Sequence, residues 1–187
     1  TGTAYMCVTD SEGLSVSIIN SNYYGTGSPF GARRSGFLLQ DRGRGFCLVP
    51  GHANELAPGK RPAHTLSPTL WTNHERTSWL LGTRGGEIQP QLIAQLAARA
   101  IVRGDDLELA QGAPRWSMTE YGPGDRSAVS LEPGTGVERA LTDLGHEVVT
   151  KDSLQPGWGP MSIIARGEDG VRAAADPRVD TSAVVVI

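Results

Sequence analysis

The sequence is poor in the residues that mark disulfide-rich, membrane-spanning and nucleic-acid-binding proteins. Its only cysteines among 187 residues, Cys7 and Cys47, cannot form a disulfide framework, and we expect both to be reduced packing residues. No apolar run approaches the ~20 residues needed to cross a bilayer. The net charge of −3 leaves no basic excess to neutralise phosphates. We therefore expect neither nucleic acid nor a membrane as a partner.

The sequence also lacks the spacings of common metal sites and the motifs of familiar catalytic sites. None of the four histidines lies four residues from another, and no cysteine stands near one at a ligand spacing. A Gly-x-Ser-x-Gly nucleophile motif and a glycine-rich phosphate loop are both missing. We expect no metal site and no cofactor.

Glycine and proline are abundant, with 24 and 12 residues, which predicts many turns and short strands. Alternating apolar residues predict a β-hairpin from Thr3–Thr9 and residues 14–20, joined by a turn at residues 10–13. Further strands are predicted at residues 35–40, 78–83, 128–131, 161–165 and 171–175, and helices at 90–101, 105–111 and 136–144. Strands, then helices, then strands again indicate a layered α+β fold in a single domain over residues 1–187.

The residue that begins the sequence offers a nucleophile and a base together. A terminal Thr1 would attack with its hydroxyl, while its α-amine, which titrates near pH 7.7–8.0 when unperturbed, would take the proton. The alternative is that Thr1 merely marks where an ordered region starts. Thr3 is a second candidate, because it lies two residues on and therefore on the same strand face.

Six stretches in a fixed order carry a family resemblance. They are residues 20–27, 36–46, 58–68, 82–91, 113–115 and 175–178. In this order and spacing, the chain resembles the small, catalytic subunit of the gamma-glutamyltransferase (gamma-glutamyltranspeptidase) family. The resemblance implies an αββα four-layer sandwich of the N-terminal-nucleophile hydrolase type. It also implies a precursor that cleaves itself before a threonine, with a large subunit from the same precursor as partner in a heterodimer or a higher oligomer.

The resemblance assigns roles to several residues. Thr1 is the favoured nucleophile, although the family's threonine falls nearer Thr3 when counted back from the turn at residues 10–13. Gly85 and Gly86 match the paired glycines whose backbone N–H groups form the oxyanion hole. Asn20 and Asn22 match polar positions that steady the hydroxyl and the amine of the nucleophile.

The substrate-binding positions depart from the family pattern. Gly45 stands where transpeptidases carry the acidic residue that holds the α-ammonium group, and His64 and Thr65 replace the serine pair that binds the α-carboxylate. Asp41 could substitute for the acidic residue, but its neighbouring strand position points the other way. Arg42, His64 and Thr65 together suit an anion.

These features predict a hydrolase that forms an acyl-enzyme on a small, carboxylate-bearing substrate other than a standard gamma-glutamyl amide. Three alternatives remain open. One is a C–C bond hydrolase of the antibiotic pathways that build 4-alkyl-L-proline units, suggested by the arginine-rich, lysine-poor composition. The others are a true gamma-glutamyl hydrolase or transferase and a catalytically silent binding homologue. We expect a cytoplasmic location, where a biosynthetic homologue would stay, and the alternative is export, which is frequent among bacterial transpeptidases.

Overall fold

A computed structural model of the chain describes residues 2–73, 76–118 and 128–187. Its regular elements occur in the following chain order: β1 Thr3–Thr9, β2 Ser15–Ser21, β3 Thr69–Asn73, β4 Arg76–Thr83, α1 Gln89–Ala97, α2 Leu107–Gly112, β5 Trp116–Met118, β6 Val129–Leu131, α3 Glu138–Asp143, β7 Val148–Thr150, β8 Met161–Gly167 and β9 Gly170–Ala174. No helix among these residues is both long and apolar enough to span a bilayer.

Strands β1 and β2 form the expected hairpin, because its turn is held by a single side chain. The Asp10 carboxylate accepts hydrogen bonds from the backbone N–H groups of Glu12, Gly13 and Leu14 at 2.8 to 3.0 Å. The antiparallel register that follows pairs Thr3 with Ser21. Odd-numbered residues of the hairpin are half-buried and even-numbered ones are exposed, so one face of the hairpin packs inward.

The larger sheet has four antiparallel strands in the order β3-β4-β8-β9. Helix α1 packs on one face of this sheet and supplies Leu92 and Leu96 to a core shared with Leu81, Met161 and Ile163. The helix starts after Gly85 and Gly86, with Pro90 in its first turn, where a missing N–H costs nothing. A third, smaller sheet joins β5, β6 and β7.

The hairpin stacks on the other face of the larger sheet, and two contacts fix its direction. The Tyr5 ring covers Gly82 so closely that a Cβ atom there would collide with it. Trp79 of β4 pairs with Ala165 of β8, and the next β8 residue is Arg166. Arg166 Nη1 donates a 2.8 Å hydrogen bond to Thr9 Oγ1. Strand β1 therefore runs antiparallel to β4, and Thr3 lies about 7 Å beyond Tyr5, at the end of β4 where the paired glycines follow.

The structure confirms the hairpin, the strands predicted near residues 78, 128, 161 and 171, and all three helices within a few residues. The strand predicted at residues 35–40 is wrong, because this segment makes only an isolated bridge between Gly31 and Leu38. Gly36, with φ of 72°, belongs to a tight turn instead. Strands β3, β5 and β7 were not predicted. Helix α1 continues beyond Ala97 as a π-helical turn over Ala98–Arg103.

The contact between Tyr5 and Gly82 predicts a strong effect of a single methyl group. We expect Gly82→Ala to destabilise the fold by about 1–3 kcal/mol, because the ring must move as a unit and give up its hydrogen bond to Ser17. The measurement is the free energy of unfolding. Gly112→Ala is the matched control, since a Cβ there has no neighbour within 4 Å. Equal stabilities of the two variants would contradict the packing described.

Candidate active site

Thr1 lies outside the described residues, and Thr3 is the threonine at the end of the hairpin that faces the glycine end of β4. Thr3 is half-buried on the inner face of the hairpin, and its Oγ1 donates a 2.8 Å hydrogen bond to Ser21 Oγ. Ser21 is a site residue that the sequence analysis missed. The predicted turn at residues 10–13 pairs Thr3 with Asn20, whereas the observed loop is one residue longer and pairs Thr3 with Ser21.

The two predicted asparagines lie in different environments. Asn20 pairs with Ala4 on the exposed face of the hairpin, so the structure does not bring its side chain beside Thr3. Asn22 is half-buried, and its Nδ2 donates to the Thr26 carbonyl at 3.1 Å. Asn22 therefore shapes the loop that follows β2, while the assigned role of each asparagine at the nucleophile stays a prediction.

The paired glycines form the sharp connection between β4 and α1. Gly85 has φ of 131° and Gly86 has φ of 59°, both in the region that favours glycine. A Cβ atom on Gly85 would lie 2.9 Å from Ile88 Cγ1, so even alanine would disturb this turn. The bare backbone leaves room for a substrate carbonyl to approach the N–H groups, as an oxyanion hole requires.

Cys7 is the thiol nearest to Thr3 on the same strand face, and its surroundings disfavour a nucleophilic role. Burial raises the pKa of the Cys7 thiol, against the opposing effect of a hydrogen bond with Tyr5. The thiolate is the reactive form of cysteine, so a raised pKa leaves Cys7 protonated and inert at neutral pH. Both Cys7 and Cys47 are free, as expected.

Arg42 is a buried cation with an unused donor. Only 9% of its surface is exposed, its guanidinium lies 5.3 Å from the centre of the Tyr23 ring, and its Nη1 lies 3.5 Å from Thr65 Oγ1. Its Nη2 has no hydrogen-bond partner among the described residues. The structure thus brings Arg42 and Thr65 together, whereas His64 is exposed on the adjoining loop.

Asp41, the acidic residue next to Arg42, uses both carboxylate oxygens for contacts within its own loop. Its Oδ1 accepts a hydrogen bond from the Tyr24 backbone N–H at 3.0 Å, and its Oδ2 lies 3.5 Å from Arg44 Nη1. Both oxygens therefore hold the connection between the hairpin and the turn Arg42–Gly45. A carboxylate used in this way is poorly placed to receive a substrate ammonium group.

Gln89 is a second buried side chain with an unused donor, and no sequence pattern predicted it. Its Oε1 accepts from the Ser67 backbone N–H at 3.1 Å, which fixes the orientation of the amide. Its Nε2 has no partner among the described residues, although the side chain is fully buried. Gln89 and Arg42 both contact the segment 65–67, Gln89 through the Ser67 backbone N–H and Arg42 through the Thr65 hydroxyl.

Four charged side chains form a buried cluster that contacts the backbone of residues 155–161. Arg178 pairs with Glu132 at 2.5 Å and with Asp176 at 3.3 Å, and Arg115 pairs with Asp176 at 2.7 Å. Backbone N–H groups satisfy the remaining carboxylate positions, which makes such burial tolerable. Within the described ranges, no three His, Cys, Asp or Glu side chains group in a way that could hold a metal ion.

Comparison with known proteins gives consistent matches. The family model for gamma-glutamyltranspeptidase matches residues 1–186. The glutathione hydrolase-like YwrD proenzyme of Bacillus subtilis is 36% identical over 186 residues, and the match covers 97% of this chain and 35% of that protein. The oxamate amidohydrolase proenzyme of Klebsiella pneumoniae is 34% identical over 184 residues, with the same coverage of 97% and 35%.

Among solved structures, the cephalosporin acylase of Bacillus halodurans superposes with a TM-score of 0.80 at 35% identity, over 96% of this chain and 33% of that one. The chain therefore spans about a third of the length of the curated relatives it matches. The comparisons confirm the expected family resemblance and the α+β fold of its hydrolases.

Proposed function

Since this chain belongs to the gamma-glutamyltranspeptidase family, we propose that it is the catalytic part of an autoprocessed N-terminal-nucleophile hydrolase. The nucleophile in this proposal is the hydroxyl of Thr3, which attacks a substrate carbonyl and forms an acyl-enzyme. Water then releases the acyl group.

One observation carries this proposal, namely the placement of Thr3 at the glycine end of the stacked sheets. The contacts of Tyr5 with Gly82 and of Thr9 with Arg166 set the direction of β1. They bring the half-buried Thr3 hydroxyl to the end of β4 that leads into Gly85 and Gly86. A nucleophile and backbone donors at one end of a sheet are the parts that acyl transfer needs.

Self-cleavage would create the base that the nucleophile requires. Thr3 Oγ1 adds to the carbonyl carbon of Gly2 and the C–N bond breaks. The hydroxyl proton passes to the departing nitrogen, so an ester forms and the nitrogen becomes a free amine. Water hydrolyses this ester and leaves Thr3 as a new terminus. Its α-amine, titrating near pH 7.7–8.0 when unperturbed, can then take the hydroxyl proton in each turnover. Ser21 Oγ, at 2.8 Å, fixes the rotamer of Thr3.

The charges of the loop after β2 favour a carboxylate on the acyl group over an ammonium group. Arg42 offers a buried Nη2 that lacks a partner among the described residues, and a guanidinium suits a carboxylate. Asp41 is committed to Tyr24 and Arg44. An unpaired ammonium group buried beside Arg42 would be costly. Two of the relatives carry the names oxamate amidohydrolase and cephalosporin acylase, which accords with substrates other than gamma-glutamyl amides.

The exposed face of the hairpin supports a partner subunit. Met6, Val8, Val16 and Ile18 form an apolar patch there, with 45% to 59% of each residue exposed. The matched relatives are proenzymes about three times as long as this chain. A large subunit cut from the same precursor would cover this patch and complete the fourth, helical layer of the sandwich.

The identity of the nucleophile predicts the effect of two threonine substitutions in the full-length protein. We expect Thr3→Ala to abolish cleavage of the Gly2–Thr3 bond and to lower turnover by about 10⁴-fold or more, because it removes the attacking oxygen. Thr1→Ala should leave both within about twofold, because Thr1 supplies no atom to the proposed cleavage and is absent from the processed chain. Intact mass and terminal peptide mapping measure the cleavage. Continued cleavage in Thr3→Ala, or a mature terminus at Thr1, would contradict the assignment.

The substrate proposal predicts a preference between two chromogenic anilides. Glutaryl p-nitroanilide is gamma-glutamyl p-nitroanilide without its amino group, so we expect its kcat/KM to be about 10-fold to 100-fold higher, given the cost of an unpaired buried charge. Arg42→Gln should remove this activity while leaving hydrolysis of neutral butyryl p-nitroanilide unchanged.

Arg34→Gln is the control for this experiment, because Arg34 is an exposed arginine of the same long loop and lies outside the turn Arg42–Gly45. It should leave the preference for the glutaryl compound intact. Faster release from the gamma-glutamyl anilide would overturn the substrate proposal, and so would an equal effect of Arg42→Gln on the glutaryl and butyryl compounds.

A further inference from the structure

Arg84, the residue directly before the paired glycines, is tied to a neighbouring loop. Its side chain is half-buried, and its Nε donates a 2.7 Å hydrogen bond to the Gly159 carbonyl. Its Nη2 lies 3.5 Å from the Pro156 carbonyl. One planar guanidinium thus spans from the end of β4 to the loop 156–160. Such a fork is rigid once both acceptors are in place.

Thr83 adds a second tie between the same two segments. Its fully buried Oγ1 lies 2.9 Å from the Arg84 carbonyl and 3.0 Å from the Pro160 carbonyl. Two successive side chains therefore fix the backbone that enters Gly85 to the loop 156–160. Gly85 and Gly86 themselves have no side chains with which to hold their orientation.

The loop that receives these bonds is itself anchored by buried charges. Asp176 Oδ2 accepts hydrogen bonds from the Met161 backbone N–H at 2.8 Å and from Arg115 Nη1 at 2.7 Å. Arg115 Nη1 also donates to the Trp158 carbonyl at 2.5 Å. Because the side chains of Arg115 and Asp176 are at most 4% exposed, the residues on either side of Gly159 are held in the protein interior.

We propose that Arg84 is a positioning residue for the oxyanion hole: by bonding to the anchored loop 156–160, it holds the N–H groups of Gly85 and Gly86 in the direction that a tetrahedral intermediate needs. This inference rests on the proposed function. Its physical basis is that oxyanion donors act through preorganisation, and that their displacement by about 1 Å costs on the order of 100-fold in rate. Arg84 contacts the carbonyl groups of the loop 156–160, and its proposed effect on the reaction is to orient the backbone of Gly85 and Gly86.

The test is Arg84→Met in the full-length protein, which removes the donors and keeps most of the stem. Rates of glutaryl p-nitroanilide hydrolysis are expressed per processed chain, measured by intact mass. We expect kcat to fall by about 100-fold while KM changes little, because the loss is confined to the transition state. A glutaryl-like boronic acid, whose tetrahedral adduct places an oxygen in the oxyanion hole, should lose affinity by a similar factor.

Two further variants make the outcome decisive. Arg84→Lys keeps one donor for the Gly159 carbonyl and should recover part of kcat, and it serves as the reporter if Arg84→Met does not fold. Arg99→Met is the matched control, because Arg99 is a half-buried arginine paired with Asp105 at 3.4 Å, about 15 Å along the helical segment from Gln89. It should keep the kcat of the unmodified protein.

Unchanged kcat in both Arg84 variants would overturn the positioning role, as would a rise in KM alone or an unchanged affinity for the boronic acid. The outcome is separable from that of the proposed function. If Thr3→Ala is inactive while Arg84→Met is fully active, only the positioning role fails. If Thr3→Ala retains turnover, the proposed nucleophile itself is wrong.

Discussion

The packing of the Tyr5 ring on Gly82 is the constraint on which the arrangement of the site depends. Two sheets can stack in many offsets, but a ring that fits only over a residue without a Cβ fixes one offset. The hydrogen bond from Arg166 to Thr9 fixes the direction. Together these contacts determine which end of the hairpin lies at the glycine turn. The packing of Tyr5 on Gly82 takes no part in the proposed reaction, but it determines where the Thr3 hydroxyl lies.

Structural contacts also determine which charge is available in the loop after β2. The loop after β2 uses its acidic side chain, Asp41, to hold itself together and leaves a cation, Arg42, with a donor to spare. In the proposed function, a site built in this way selects by charge, because burying an unpaired ammonium group is costly. In the proposed function, selection for a carboxylate without an ammonium group therefore needs no change in the threonine or in the paired glycines.

Local sequence patterns predicted most helices and strands, whereas the contacts of the candidate site depend on how distant segments pack together. The hairpin and α1 were recognisable because alternation and helical periodicity are carried by adjacent residues. The predicted strand at residues 35–40 failed because Gly36 closes a turn that apolar content alone does not reveal. Sequence patterns did not predict the contacts of Ser21, Gln89 and Arg84, because the partners of these side chains lie 18 to 75 residues away in the chain. Whether Thr1 or Thr3 reacts was also beyond the reach of local patterns.

The central claim is that Thr3 becomes a terminal nucleophile that carries the acyl group, and trapping the acyl-enzyme tests it most directly. The processed protein is mixed with glutaryl p-nitroanilide, quenched in acid within one turnover, digested and mapped by mass spectrometry. The account predicts a glutaryl ester, labile to hydroxylamine, on a peptide that begins at Thr3. A glutaryl group on Cys7 or on any other residue, or a mature peptide that begins at Thr1, would contradict it.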